Sequence, residues 1–401
     1  WGAAMIGGRG SSTLQRFVKG AQPLLYRRAF QKARTCEKAY SEITVGIPKE
    51  SFLNERRVAA TPASVKLLAD KGFKVQVEAG AGAGSSFTDN ALKAAGAVIK
   101  DKNAVFGSDI VLKVHPPTTG AGAETDLLKE GGTVISLMKP GTNDALLKAM
   151  AAKKGTAIAM DLIPRTLTRA QGFDALSSQA GVAGQRAVTE AAQEFGRFFG
   201  ASMTPAGKVP PAEVFVIGGG VAGLAAIGAA KSMGAVVKAF DVREAAAEQI
   251  ESQGGKFLKL KFEEDGSAAG GYAKEMSPEW HKAAAELMAK QAAKSDIIIT
   301  TALIPGRPAP IMITKEMVAS MRAGSVTVDL ASEAGCNIET TVPGKIHVTE
   351  NGVRCVGYTD MPSRVPALSS TFYANNVSKL LLDLNRPLAA KGDEDKDFTF
   401  D

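Results

Sequence analysis

Val214-Phe-Val-Ile217 is a short apolar run that passes at once into Gly218-Gly-Gly220-Val-Ala-Gly223 and then into an alanine-rich stretch. A GxGxxG spacing is weak evidence by itself in a chain with 42 glycines. Here it follows an expected strand, opens an expected helix, and precedes a second apolar run, Val236–Phe240, that ends at Asp241. Asp241 lies 23 positions after Gly218, close to the ~20 of a dinucleotide-binding strand–helix–strand unit. Each residue has a physical task. Gly218 makes the tight turn, Gly220 lets the backbone approach a pyrophosphate, and Gly223 lets helix and strand pack closely. The pyrophosphate sits at the helix start, beside Val221, where unpaired N–H groups and the helix dipole favour an anion. Asp241 can accept hydrogen bonds from both adenosine-ribose hydroxyls and repels a 2′-phosphate, which favours NAD(H) over NADP(H). Arg243 tempers that preference without reversing it, and Val242 stands between them. A glycine-rich structural turn is the competing reading.

Working outward, short β-branched runs alternate with helical, alanine- and lysine-rich stretches. The expected strands are Ile43–Ile47, Lys74–Glu78, Ile110–Val114, Thr133–Leu137 and Thr156–Met160, then Val214–Ile217, Val236–Phe240, Ile297–Thr301, Ser325–Leu330 and Val353–Gly357. Alternation at this spacing implies crossover units and mostly parallel sheets. Gly200–Pro211, with three prolines and two glycines, reads as a connector. After Pro366, the residues Phe372, Val377, Leu380, Leu381 and Leu384 have helical spacing. The expected fold is α/β, with two doubly wound (Rossmann-like) domains, a cleft between them, and a C-terminal helix returning to the first domain. Residues 41–180 with 360–401 form the first domain, 181–359 the NAD-binding domain, and 1–40 a basic leader or linker without fixed structure; Lys391–Asp401 is a frayed, charged end.

Charge is unevenly spread. The chain holds 48 Lys and Arg against 41 Asp and Glu, a net +7, but residues 1–40 alone carry eight basic side chains and one acid, Glu37. The remainder is neutral, so a nucleic-acid-binding body is not expected. The first 40 residues, basic and acid-poor with Ser11, Ser12 and Thr13, have the composition of an organelle transit peptide; an interdomain linker is the alternative. Trp1 in place of methionine places further residues before it. The 17-residue uncharged run Val214–Ala230 contains five glycines and falls short of the ~20 apolar residues a membrane span needs. Cys36, Cys336 and Cys355 are odd in number and widely spaced, and with only His115, His281 and His347 beside them no metal site is expected.

Gly46-Ile-Pro-Lys-Glu50, followed by Asn54-Glu-Arg-Arg-Val-Ala-Ala-Thr-Pro62, resembles the opening signature shared by alanine dehydrogenase and pyridine nucleotide transhydrogenase, and Gly218–Gly223 the second shared signature. Pro164–Ser178, Gly270-Gly-Tyr-Ala-Lys-Glu-Met276, Thr301-Ala-Leu-Ile-Pro-Gly306 and Val328-Asp-Leu-Ala331 look like transhydrogenase in particular. The resemblance covers about residues 43–401 and is to the soluble NAD(H)-binding component of the proton-translocating enzyme. It implies that the chain holds NAD(H) with its nicotinamide against NADP(H) on a separate domain, that hydride passes directly between the rings, and that a transmembrane domain couples this to proton movement. It also implies a homodimer at the matrix side of the mitochondrial inner membrane, or, if residues 1–40 are a linker, a rearranged single-chain enzyme in another membrane. Direct transfer between two nicotinamides needs positioning rather than a proton-shuttling side chain.

By the same resemblance, Arg165, Gln171 and Asp174 match the loop that fixes the nicotinamide carboxamide and ribose, with Thr166 and Ser177 close by; Arg169 is the alternative to Arg165. Tyr272, with Gly271, matches a mobile loop that closes over nucleotide. Asp241, Val242 and Arg243 match adenosine-ribose contacts, and Leu303 joins the nucleotide-binding set. Ala183-Gly184-Gln185-Arg186 departs from the family pattern, and Gln185 receives no role. Two other functions compete. An amino-acid dehydrogenase of the alanine dehydrogenase type would want a proton-handling histidine near Thr133–Met138, where none stands, although Arg57 could hold a substrate carboxylate. A non-catalytic NAD-sensing module is the other.

Overall fold

The computed structural model describes residues 39–165, 167–260, 262, 276–303 and 308–384. Two largely parallel sheets carry the fold. The first comprises β1 (Thr44–Ile47), β2 (Lys74–Glu78), β3 (Val98–Lys100), β4 (Ile110–Leu112), β5 (Thr133–Ser136) and β6 (Thr156–Ala159). Its order is β3-β2-β1-β4-β5-β6, with every pair parallel. β7 (Ser202–Thr204) and β8 (Gly207–Val209) form an antiparallel hairpin. The second sheet comprises β9 (Glu213–Ile217), β10 (Val236–Phe240), β11 (Lys256–Phe257), β12 (Ile297–Thr300), β13 (Val326–Asp329), β14 (Ile346–Val348) and β15 (Arg354–Val356). It runs β11-β10-β9-β12-β13-β15-β14, and only the β14–β15 pair is antiparallel. The two-domain α/β expectation is met. β12 and β13 are buried at every position, as strands covered on both faces by crossover helices must be.

Local chemistry sets the helix ends. Thr61 and Ser64 form a capping box at the helix Pro62–Asp70, each side chain accepting the other's backbone N–H, and Pro62 supplies a ready-made first turn. The helix Pro366–Asp383 returns to the first sheet, where Tyr373, Val377, Leu380 and Leu381 join the core of Val45, Ile47, Val75 and Leu112. Its apolar stripe differs from expectation by one step. Phe372 is partly exposed and Tyr373 takes the core position instead, because its hydroxyl reaches the Lys113 carbonyl at 2.7 Å. Leu384 lies just beyond the helix and is exposed.

The twenty-residue helix Ala175–Glu194 contains residue 180, where the division between domains was expected. It crosses the helix Val221–Ser232 with backbones almost touching: a Cβ on Gly184 would lie 2.0 Å from the Ala222 carbonyl oxygen. The stretch Gly200–Pro211, expected as a plain connector, holds the β7–β8 hairpin. Strands β3, β11 and β14 were not expected; each is two or three residues long at a sheet edge, too short to show a period. The leader and the charged end, apart from residues 39 and 40, lie outside the described residues.

Candidate nucleotide-binding site

Strand register assembles the site. Ile217 pairs with Phe240 on one side and Thr300 on the other. The next residue of each strand therefore emerges in one row: Gly218, Asp241 and Thr301. This row lies at the carboxyl ends of parallel strands, at the point where the strand order reverses between β9 and β12, which is where open α/β sheets bind ligands.

Gly218 adopts φ +108°, and a Cβ there would lie 2.3 Å from Thr301 Oγ1. A Cβ on Gly223 would fall 1.8 Å from the Gly218 carbonyl oxygen. Both glycines are sterically required. Gly220 differs, because nothing lies within 4 Å of where its Cβ would be; the space in front of it is open. The helix starting at Val221 has no side chain capping its first N–H groups, and Val221 itself is exposed. Open space before uncapped donors is an anion cradle, so these residues fit the pyrophosphate of a dinucleotide.

Asp241 is 9% exposed and heavily engaged. Its carboxylate accepts the Gly219 N–H at 2.6 Å, the Arg243 N–H at 2.7 Å, and the Arg243 guanidinium at 3.0 and 3.1 Å. Arg243 thus lies on Asp241. Val242 packs inward, against the core built around Phe215, Phe240 and Trp280. Its side chain is therefore structural, and any ligand contact from it comes through the backbone.

A second group of expected site residues gathers at the start of the helix Ala175–Glu194. Asp174 caps that helix: its Oδ1 accepts the Ser177 N–H at 2.9 Å and its Oδ2 the Ser177 hydroxyl at 2.5 Å. Arg165 closes the group, donating from Nε to Asp174 at 3.2 Å and from Nη2 to Ser177 at 2.8 Å. Gln171, on the short 3-10 turn Arg169–Phe173, is exposed beside them. Arg169 turns elsewhere and pairs with Asp383 of the terminal helix at 2.8 Å. Gly181 and Gly184 bring this helix against Val221 and Ala222, so the Arg165–Asp174–Ser177 group and the glycine cradle belong to two helices in direct contact. Leu303, two residues past Thr301, is half-exposed. Thr166, Gly271 and Tyr272 lie outside the described residues.

The mouth of the first sheet is built from charge. Glu55 accepts from Arg57 Nε and Nη2 at 2.8 and 2.6 Å and meets His115 Nε2 at 2.7 Å. Arg57 Nη1 donates to Gln179 at 2.8 Å, which engages all three guanidinium nitrogens. Burial raises the Glu55 pKa, but the hydrogen bonds from Arg57 and His115 outweigh it and hold the carboxyl well below the usual range. Arg57, the residue available to a substrate carboxylate in the amino-acid dehydrogenase reading, already holds an internal one. Met138 is buried in the segment where that reading wants a histidine. Among the described residues no three His, Cys, Asp or Glu side chains gather as a metal site would require.

Three contributors escaped the sequence reading. Gly184 carries the closest helix contact. Asp329, at the end of β13, is fully buried and accepts the backbone N–H groups of Ala331, Asn337 and Ile338; burial pushes its carboxyl upward against those three bonds. Asn337, also fully buried, reaches across to Ala302. Gly184 and Asp329 stand in stretches quoted above without a role of their own, and no spacing marks Asn337.

Comparison with known proteins agrees with this geometry. Residues 46–183 match the model of the alanine dehydrogenase/PNT N-terminal domain and residues 187–398 that of the C-terminal domain. The chain is 52% identical over 337 residues to the NAD(P) transhydrogenase subunit alpha of Haemophilus influenzae, covering 84% of this chain and 65% of that protein. It therefore spans under two thirds of that relative's length. It is 50% identical over 343 residues to the first portion of NAD(P) transhydrogenase subunit alpha of Rhodospirillum rubrum, a separate chain, covering 84% of this chain and 89% of that one. The crystal structure of transhydrogenase from Sinorhizobium meliloti superposes with a TM-score of 0.78 at 44% identity, covering 87% of this chain and 96% of that one. The chain belongs to the alanine dehydrogenase/PNT family, among the relatives of NAD(P) transhydrogenase alpha subunits.

Proposed function

We propose that the chain binds NAD(H) across the carboxyl edge of the second sheet and presents its nicotinamide for direct hydride exchange with NADP(H) on a separate domain, as the NAD(H)-binding component of a proton-translocating transhydrogenase. The observation that carries this reading is the pairing of two helix starts: the uncapped, open cradle at Val221 and the Arg165–Asp174–Ser177 group, on helices joined at Gly184. The first suits the pyrophosphate. The second offers Asp174, Ser177, Arg165 and the exposed Gln171 to a carboxamide and a ribose. Arg169, bound to Asp383, is less suited than Arg165. When bound, the nucleotide supplies the hydride; the chain's residues orient the ring, which is what a ring-to-ring transfer asks of a protein. Arg243, spent on Asp241, does not stand ready for a 2′-phosphate, which supports NAD(H) over NADP(H).

We place the NADP(H)-binding and transmembrane domains in other segments or subunits; among the described residues no helix is long and apolar enough to cross a membrane. A homodimer is supported by Phe198 and Met203, each 73% exposed around the hairpin, and Met203→Asp should shift the chain toward monomer in light scattering. The basic composition of residues 1–40 supports the matrix side of the mitochondrial inner membrane; failure of these residues to direct a fluorescent reporter into mitochondria would favour the linker reading. The central test mixes the chain with an NADP(H)-loaded partner domain and follows reduction of an NAD analogue. Alanine-dependent NADH formation without transfer overturns the proposal in favour of an amino-acid dehydrogenase. Tight NADH binding with neither activity favours a sensing module.

A further inference from the structure

The segment that follows β12 is held by one buried side chain. Asn337 Oδ1 accepts the Ala302 N–H at 3.0 Å, and its Nδ2 donates to the Ala302 carbonyl at 2.9 Å and the Pro310 carbonyl at 2.8 Å. The Asn337 carbonyl in turn accepts the N–H groups of Met312 and Ile313 at 2.7 and 3.1 Å. Asn337 is itself fixed from behind: Asp329 takes its N–H at 2.7 Å, and the preceding Cys336 adopts φ +70°. Every donor and acceptor of the amide is spent, and only an amide offers one acceptor and two donors in that arrangement. An aspartate of the same shape would set a carboxylate oxygen against two carbonyls, and an apolar residue would leave Ala302 unpaired and buried.

The peptide held in this way has a particular place. Thr301 accompanies Gly218 in the row at the sheet edge, its N–H bonding the Ile217 carbonyl at 2.9 Å. Ala302 and Leu303 come next, on the β12 side of the crevice, with Leu303 half-exposed. Asp241 and the adenosine-binding features lie on the opposite side, at the end of β10. A brace on Ala302 therefore acts on the end of the site away from adenosine.

We propose that Asn337 is a positioning residue that fixes Ala302 and Leu303 as the wall against which the nicotinamide half of the nucleotide rests. The inference rests on the functional reading above. It separates nicotinamide placement from adenosine binding, since Asn337 reaches the reacting ring only through the 302–303 backbone. Small displacements at such a wall cost hydride transfer more than they cost binding.

Titrating purified chain with NADH and with ADP-ribose, which lacks the nicotinamide, tests this. Asn337→Ser should weaken NADH binding about tenfold while ADP-ribose affinity stays within about twofold. In the reconstituted reaction with an NADP(H)-loaded partner domain, the rate at saturating NADH should fall as well. Leu303→Ala, at an exposed position that the fold does not depend on, should reproduce the nicotinamide-selective loss and stands in if Asn337→Ser does not fold. Equal losses for NADH and ADP-ribose in Asn337→Ser, or wild-type affinities for both ligands in either folded variant, overturn the assignment. Failure of the unmutated chain to bind NADH or ADP-ribose would instead overturn the functional reading itself, so the two failures are distinguishable.

Discussion

The two sheets share one strand order and do different work. In each, the first strand of its series (β1 or β9) lies between the second and the fourth, so each has a reversal point at its carboxyl edge: between β1 and β4 in one, between β9 and β12 in the other. At the β1–β4 point the crevice is stitched shut. Glu50, just after β1, accepts the Val114 N–H past β4 at 2.6 Å and lies 3.4 Å from the buried Lys113 ammonium, which Glu124 flanks at 3.1 Å. Arg57, Glu55, His115 and Gln179 lie beside it. At the β9–β12 point there is no such stitching, only Gly218, open space before Gly220, and a bare helix start. Topology provides a crevice in both places; side chains decide which one remains available.

A matched pair of glycines breaks this comparison most severely. A Cβ on Gly46 of β1 would lie 2.1 Å from the Val105 carbonyl oxygen, and one on Gly223 would lie 1.8 Å from that of Gly218. Alanine at either position must displace backbone, at a cost of about 3 kcal/mol or more. The consequences should diverge. Gly223→Ala should abolish NADH binding, by more than about 100-fold in isothermal titration, whereas the folded fraction of Gly46→Ala should bind as the wild type does. Loss of binding in Gly46→Ala at temperatures where circular dichroism shows it folded would mean that the first crevice also takes nucleotide.

The charged mouth yields the next largest effect. Glu55→Gln leaves Arg57 buried without its carboxylate and should destabilise the chain by about 3 kcal/mol in urea unfolding at neutral pH. The pH dependence has a definite sign. The Glu55 pKa is depressed in the folded chain below its ordinary 4.5, so its stabilisation is present above that pH and drains away as pH falls. Wild-type stability should drop on acidification below that value, and Glu55→Gln should show a shallower drop. Parallel acid profiles would show that Glu55 is not held as an anion. NADH affinity at neutral pH should be unchanged.

Asp241→Ala acts at the other mouth and should weaken NADH binding by about 1–3 kcal/mol. Arg243 loses its partner in this variant. NADPH, with its 2′-phosphate, should therefore lose much less affinity than NADH. If both nucleotides weaken equally in titration, Asp241 serves the Gly219 turn and takes no part in discrimination.

The open crevice was legible in the sequence because steric necessity leaves a residue-level mark. Gly218 and Gly223 admit no Cβ, and Asp241 follows at the length of one helix and one strand. The closed crevice was not. Arg57 was visible, but its engagement by Glu55 and Gln179 spans 122 residues of chain, and no local pattern announces it. Arg165 and Arg169 were likewise inseparable in sequence; a partner at Asp383, 214 residues away, distinguishes them. Gly184 and Asn337 owe their importance to backbone brought near by the fold, Ala222 in one case and Ala302 in the other. The short edge strands went unread because two or three residues carry no period.

One exposed ion pair joins the two regions directly, and its predicted effect is the smallest. Lys139 follows β5 at φ +48°, in a corner held by Asp161, which accepts the N–H groups of Met138 and Lys139 at 2.7 and 2.8 Å. Its ammonium meets Glu333, in the turn after β13, at 2.7 Å. Both side chains are more than half exposed, 58% and 60%, so water and salt compete for them. Lys139→Ala should cost no more than about 1 kcal/mol of stability, and less at high ionic strength. NADH affinity should change by less than about fivefold, the factor to which 1 kcal/mol corresponds. If Lys139→Ala weakens NADH binding well beyond that limit while thermal stability is kept, the pair sets the separation of the two mouths, and the division into a closed structural crevice and an independent nucleotide crevice fails. If the effect stays small, the helix contact at Gly184, rather than charge across the cleft, is what holds the two helix starts together.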